Sequence, residues 1–229
     1  MKTISRRKFL YIFTSLSFYH PLSAVAASST ENKLEKNDSL PITIAVLRAA
    51  FEAERLASDH YVAYCRKAAE EKYPNIAYLF RAFSVSEKIH AENYKRILAT
   101  LSAAPEAPEF KILILDTKAN LINASEGELK KIKQTYPDFL AKLKSESYAQ
   151  AVISCMYSWK SHQQHERKIS EIRKYSEMFF GSVAKTIEGT KFDFYVCEIC
   201  GSTIDQAPQM PCDICNHPVS FYHQVIRPA

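Results

Sequence analysis

Along residues 41–180 apolar side chains recur at three- to four-residue intervals with polar ones between them, the period of helices that bury one face. Gly127 is the only glycine in this stretch, so little interrupts the pattern. It predicts four helices. The first covers about Pro41 to Glu71, with proline at a favourable early position, and the second about Pro74 to Ala103. A proline-bearing crossover, Ala104 to Phe110, and a short apolar stretch from Ile112 to Leu115 lead to the third helix. That helix spans about Asp116 to Ser145, with an irregularity expected near Pro137, and the fourth spans about Tyr148 to Phe180. Residues 27–40 are polar and read as a linker.

Long helices with a crossover between the second and third describe an all-α four-helix bundle of ferritin-like type, placed at residues 41–186. Its apolar stripes carry residues that are out of place in an apolar core. Leu47, Phe51, Glu54 and Tyr61 share one face, and Phe80, Phe83, Glu87, His90 and Tyr94 another. Cys155, Ser158, His162, His165, Ile169 and Ile172 form a third. A carboxylate on such a stripe is costly unless it is paired, hydrogen-bonded or bound to a metal. A lone Glu-x-x-His pair would read as an ion pair at the helix edge. Here the positions repeat. Glu87 and His162 each stand fourteen residues after a tyrosine, Tyr73 and Tyr148, and His90 and His165 follow them by three. Glu54 lies 33 residues before Glu87, and Glu128 lies 34 before His162. Two helical hairpins thus present one carboxylate and then an i, i+3 pair ending in histidine, a pattern suited to a metal site in a bundle core. Glu126 should point away from that face.

The remaining chemistry is at the C-terminal end. Cys197-x-x-Cys200-Gly201 is followed by Cys212-x-x-Cys215-x-x-Pro218, with eleven residues between Cys200 and Cys212. Paired CxxC turns at this distance close a tetrahedral site of four thiolates around iron or zinc. The segment, residues 192–229, is too short to fold on buried apolar surface alone, so the metal must supply much of its stability. Cys65 and Cys155 read as small buried apolar residues, with a disulfide between them left open. Tyr61, Tyr94 and Tyr136 fall near the proposed ligands as hydrogen-bond donors or as packing. His217 reads as a neighbour of the thiolate site, not a fifth ligand.

Charge and the N-terminal segment place the protein. Ser5-Arg6-Arg7-Lys8-Phe9-Leu10 is a twin-arginine sequence, a moderately apolar stretch follows, and Ala24-Val25-Ala26 offers a cleavage site. His20, Pro21 and several serines weaken this stretch as a membrane span. Residues 1–26 carry four basic charges and no acid, so the net +5 becomes +1 without them, which excludes a strongly basic nucleic-acid binder. The expectation is a periplasmic protein, exported folded and free of the membrane after signal cleavage. Its thiolate site would be filled before it meets an oxidising compartment. The sequence has no Gly-rich phosphate loop and no nucleophile elbow.

On these residues the chain resembles the rubrerythrin family, a ferritin-like di-iron bundle followed by a rubredoxin-like domain with short β-strands. The likeness runs through essentially the whole mature chain. It includes Ala49-Ala50-Phe51-Glu52-Ala53-Glu54, Tyr61, Glu87 to His90, Asp116 to Ile122, Gly127-Glu128, Tyr136-Pro137 and Cys212 to Pro218. The resemblance implies a non-haem peroxidase whose reduced di-iron centre is oxidised by hydrogen peroxide, with electrons returning singly through an Fe(Cys)4 centre. It also implies head-to-tail homodimers in which one subunit's rubredoxin-like domain approaches the partner's di-iron site. The redox donor protein is unknown. By resemblance Glu54, Glu87, His90 and Glu128 match family ligands, Glu87 and Glu128 in bridging positions, and His165 matches the last histidine.

Two positions depart from the family pattern: Lys131 and His162 stand where the family has glutamates. The first departure should disable the exchange of ligands that the glutamate at Lys131 makes with the histidine matching His90. Fewer carboxylates stabilise an oxidised centre less, so slower reoxidation or a mixed-metal or half-filled site is expected. Histidine is itself a competent ligand, which makes His162 a change of ligand rather than a loss. Two readings follow: an exported peroxide reductase, and a non-catalytic electron carrier or zinc-stabilised docking protein with a degenerate bundle site.

Overall fold

The computed structural model describes residues 40–105, 109 and 111–228. The expected signal segment, residues 1–26, and the linker as far as residue 39 lie outside the described residues. Helix α1 covers Pro41–Glu70, α2 Pro74–Thr100, α3 Thr117–Lys130, α4 Tyr136–Leu143 and α5 Ala149–Glu188. A π-helical segment, Lys131–Thr135, joins α3 to α4, so these three pieces form the third rod of the bundle. Three short strands follow: β1 (Tyr195–Cys197), β2 (Thr203–Ile204) and β3 (Tyr222–Gln224). They form an antiparallel sheet in the order β2-β1-β3, with Val196 opposite Thr203 on one side and His223 on the other.

The irregularity expected near Pro137 is the wider π turn just before it. In π spacing the carbonyl of Ile132 would be bonded by the N–H of residue 137, and proline has none. Trp159 Nε1 donates to that carbonyl instead, at 2.9 Å, and ties the third rod to α5. Helix α5 runs on to Glu188, beyond the end expected near Phe180.

The chain is poor in glycine, and its helix ends are closed by other means. Lys72 (φ 65°) and Ser102 (φ 52°) take the left-handed conformation after α1 and α2. Tyr73 N then bonds Ala68 O, and Ala103 N bonds Leu98 O, each at 2.9 Å, satisfying carbonyls of the last turn. At the starts, α3 has its own cap: the Asp116 carboxylate accepts from Ala119 N at 2.8 Å. Helices α1 and α2 begin with proline and have no side-chain cap of their own. Glutamates from other helix ends serve them. Glu146, beyond α4, accepts from Ile42 N (3.0 Å) and Thr43 N (2.7 Å). Glu188, at the end of α5, accepts from Asn75 N (2.8 Å) and Ile76 N (3.2 Å), and Glu71 accepts from Thr117 N (2.9 Å).

The bundle core consists of two apolar clusters. One holds Tyr61, Ile76, Phe80, Phe83, Leu121 and Ile169, and the other Leu47, Phe51, Tyr94, Leu98, Tyr136 and Cys155. Along every rod the candidate ligands fall between residues of the first cluster and residues of the second. The bundle is therefore two dry cores with a buried polar layer between them.

Proximity to the Thr117 side chain, then to its backbone N–H, holds the Glu71 carboxyl below the ordinary value of 4.5; against desolvation, the Thr43 side chain and the N–H groups of Thr43 and Ile42 do the same for Glu146. A lowered carboxylate contributes stability that is complete above its unfolded value and is lost as pH falls through its folded one. Glu146→Gln is expected to lower the Tm at pH 7 and to make the variant less acid-sensitive than the parent as pH falls below the ordinary carboxylate value. Calorimetry showing equal acid sensitivity in both would mean that the cap contributes nothing.

Candidate metal centres

Glu54 from α1, Glu87 and His90 from α2, Glu128 from α3 and His162 and His165 from α5 all converge, and each is fully buried. Glu87 and His90 lie one turn apart, which brings His90 Nδ1 to 2.8 Å from Glu87 Oε2. His162 reaches across the bundle, with Nδ1 2.8 Å from Glu128 Oε2 and Nε2 3.1 Å from Glu54 Oε1. Tyr61 donates to Glu128 Oε1 at 2.5 Å, and Tyr136 donates to Glu54 Oε1. Tyr94 stands behind Tyr136, donating to Ser158 Oγ at 2.8 Å. Glu126 is exposed, as expected.

Lys131 is in direct contact with this centre. Lys131 opens the π-helical segment, and its Nζ donates to Glu54 Oε2 at 2.6 Å and Glu87 Oε1 at 3.3 Å. Its side chain is only 13 % exposed. Burial alone would raise the Glu87 and Glu128 carboxyls and lower Lys131, His162 and His165. The charges override it. Burial pushes Glu87 upward, but Lys131 and His162 hold it well below its ordinary value; His162 draws Glu128 down to about 2. Burial and Lys131 push His162 downward, yet Glu87, Glu54 and Glu128 raise it to about 10. His165 and Lys131 are raised as well, against burial, by the carboxylates. Three buried carboxylates thus face one ammonium and two histidines whose protonated forms are favoured.

The donor set fits a metal unevenly. Glu87, Glu128, His162 and His165 offer ligand atoms within 4.8 Å of one another, as do Glu54, Glu87, His90 and His162. In the first group His165 Nδ1 is buried and makes no hydrogen bond among the described residues, standing 3.5 Å from Glu87 Oε1 and 3.8 Å from Glu128 Oε1. Such spacing suits atoms that share an ion at about 2.1 Å each. Its other nitrogen, Nε2, lies 3.2 Å from Thr203 Oγ1, which fixes the ring's orientation. In the second group Lys131 Nζ already bridges two of the carboxylates.

The four thiols at the C-terminal end form the second centre. Cys197 and Cys215 sulfurs are 3.7 Å apart and those of Cys200 and Cys212 3.5 Å. These separations are near the ~3.8 Å between sulfurs on a tetrahedral ion with bonds of about 2.3 Å. Each CxxC turn ends in a left-handed residue, Gly201 (φ 76°) and Asn216 (φ 59°), the types that tolerate it. Contact with the Cys197 and Cys212 sulfurs pushes the Cys200 thiol far up and, with Cys197 and Cys200 as neighbours, pulls Cys212 far down. The cluster cannot hold four negative charges without a cation. His217 Nδ1 is occupied with the Cys215 carbonyl at 3.1 Å, in keeping with its reading as a neighbour. Cys65 and Cys155 are both free thiols in separate apolar clusters.

The two centres meet within one chain. Cys200 O lies 3.1 Å from His90 Nε2, Gly201 O accepts from Ser86 Oγ (2.6 Å) and Ser161 Oγ (2.9 Å), and Ile199 O accepts from Asn93 Nδ2 (2.9 Å). Gln164 Oε1 accepts from Thr203 N at 3.1 Å. Within the single chain the cysteine unit thus reaches the bundle centre directly. A Cβ at position 201 would fall 2.3 Å from His90 Nε2, so only glycine allows this approach. Sequence reasoning missed Ser86, Ser161, Asn93, Gln164 and Thr203. A signal was present: Ser86 and Ser161 each stand one residue before a repeated ligand position, thirteen after Tyr73 and Tyr148.

A family model described as rubrerythrin matches residues 45–172. The chain is 28% identical over 183 residues to rubrerythrin-2 of Clostridium acetobutylicum, covering 76% of this chain and 91% of that protein. It is 27% identical over 177 residues to nigerythrin of Nitratidesulfovibrio vulgaris, with 77% and 83% covered. Among solved structures, fully reduced, all-ferrous nigerythrin superposes with a TM-score of 0.68 at 24% identity, covering 84% of this chain and 91% of that one. The fold is accordingly a ferritin-like bundle followed by a small rubredoxin-like unit.

Removing one member of a buried ionic cluster leaves the others uncompensated. In chelator-treated protein, Lys131→Met is expected to lower the unfolding free energy by about 3 kcal/mol. A urea titration showing a change under about 1 kcal/mol would mean that the ammonium does not offset the carboxylates.

Proposed function

Because the chain belongs to the rubrerythrin family of di-iron oxidoreductases, we propose that it reduces hydrogen peroxide to water at the bundle centre, with electrons supplied by the four-cysteine centre. The observation that carries this reading is the contact between them. From the Cys200 sulfur the route passes through that residue's own carbonyl to His90 Nε2, across the ring to Nδ1, and on to Glu87. Iron held by the carboxylates and histidines would bind the peroxide and supply electrons for cleavage of its O–O bond, the net change being H2O2 + 2 H+ + 2 e− → 2 H2O.

The protein's own groups divide the remaining work. Burial holds Tyr61 and Tyr136 well above the ordinary phenol value, helped by the neighbouring carboxylates, so they keep their protons. They serve as fixed donors that orient Glu128 and Glu54. Lys131, raised by the surrounding carboxylates, keeps its proton and holds Glu54 and Glu87 in place. The apolar clusters on both sides exclude water. A second reading, a non-catalytic electron carrier or zinc-held docking protein, draws its support from Lys131, which sits where a ligand is needed. Export by the twin-arginine route and a head-to-tail homodimer complete the proposal, although the contact between centres does not require a second subunit.

Stopped-flow mixing of anaerobically reduced protein with peroxide tests the reading. Rapid return of the oxidised four-cysteine chromophore, with one peroxide consumed per two electrons, is expected. A reduced spectrum indifferent to peroxide would leave only the carrier. Gly201→Ala, which pushes the cysteine unit off His90, is expected to slow that return while leaving metal content unchanged. An unaltered rate would mean that electrons travel by another path.

A further inference from the structure

Glu54 has no oxygen to spare. Its Oε2 accepts from Lys131 Nζ at 2.6 Å, while Oε1 accepts from the Tyr136 hydroxyl and faces His162 Nε2 at 3.1 Å. The same ammonium reaches Glu87 Oε1 at 3.3 Å, so it spans two carboxylates drawn from different helices. This is the task a metal ion would perform between them. The ammonium is tethered to the π-helical segment and cannot diffuse away. An ion placed beside it would meet a like charge in surroundings with little water to screen it.

The other half of the centre differs. There His165 Nδ1 is buried, has no hydrogen-bond partner among the described residues, and lies 3.5 Å from Glu87 Oε1 and 3.8 Å from Glu128 Oε1. His162 Nδ1 lies beside the same two carboxylates, 2.8 Å from Glu128 Oε2 and 3.5 Å from Glu87 Oε1. An ungratified ring nitrogen on one side and a cation already in place on the other make the two halves unequal.

Resting on the reading that the bundle binds metal, we propose that the Lys131 ammonium takes the place of one of the two metal ions, leaving Glu87, Glu128, His162 and His165 to hold a single divalent transition-metal ion. The mixture of imidazole and carboxylate donors suits iron, zinc, manganese or cobalt in the divalent state. Glu54 is then a positioning residue, orienting Lys131 and His162 without contributing a ligand.

Cobalt(II) titration of the stripped, full-length mature chain tests this, because cobalt bound to thiolates and cobalt bound to nitrogen and oxygen have distinct visible spectra. Wild type is expected to retain two ions per chain after gel filtration, one in the four-cysteine site and one in the bundle. Lys131→Glu, which adds a carboxylate and removes the ammonium, is expected to retain three. Lys131→Gln, closer in shape and useful should the first variant not fold, is expected to take up the third ion more weakly. Three ions in wild type would overturn the inference while leaving the proposed metal chemistry standing, as would two in folded samples of both variants. One ion in wild type, in the thiolate site alone, would overturn both.

Discussion

Three carboxylates buried between two apolar clusters set the terms for the rest of this molecule. Their charge cannot be left unanswered at the centre of a bundle, and apart from His90, one turn from Glu87 on the same helix, the partners come from other rods. Lys131 on the third rod meets Glu54 on the first and Glu87 on the second. His162 on the fourth meets carboxylates from the other three. The ionic layer therefore fixes the register of all four rods at once, which apolar packing alone tolerates in several arrangements. Lys131 and the two histidines of α5 supply the charge that answers these carboxylates.

The small cysteine unit depends on the same layer. Its loop docks through the carbonyls of Ile199, Cys200 and Gly201, and the donors that receive them are Asn93, His90, Ser86 and Ser161 on the helices that carry the ligands. One helical face thus holds reactive groups inward and, a residue away, presents hydroxyls to the second centre. The distance between the two centres is governed by residues adjacent in sequence to the ligands, with Gly201 as the point of closest approach.

Much of this was legible in the sequence because it depends on period. Stripes at three- to four-residue spacing locate Glu54, Glu87, His90, His162 and His165, and the hairpin repeat adds Glu128. The CxxC spacing locates the thiolate centre. What could not be read depends on contacts between segments far apart in the chain. Pro137 signals an irregularity, but the π turn also needs Trp159 to bond the carbonyl that proline leaves, and nothing near Pro137 announces it. Only the assembled bundle directs the Lys131 ammonium between Glu54 and Glu87. The caps supplied by Glu71, Glu146 and Glu188 lie 46, 103 and 113 residues from the backbone groups they serve, beyond any local signal.

Asn75 stands where several of these threads cross. Its amide Nδ2 donates to Ile187 O (2.7 Å) and Thr190 O (3.0 Å), and its Oδ1 accepts from Arg227 near the end of the chain. The Arg227 guanidinium lies 4.3 Å over the Tyr78 ring, whose hydroxyl donates to Val225 O at 2.7 Å. The first turn of α2 is thereby a clasp that grips both the end of α5 and the C-terminal tail. The two metal-binding parts are consequently not separable modules joined by a tether. A chain cut after α5 would keep the Glu188 cap but lose the Arg227 and Val225 contacts to Asn75 and Tyr78, and the helix carrying Glu87 and His90 would be weakened at its root.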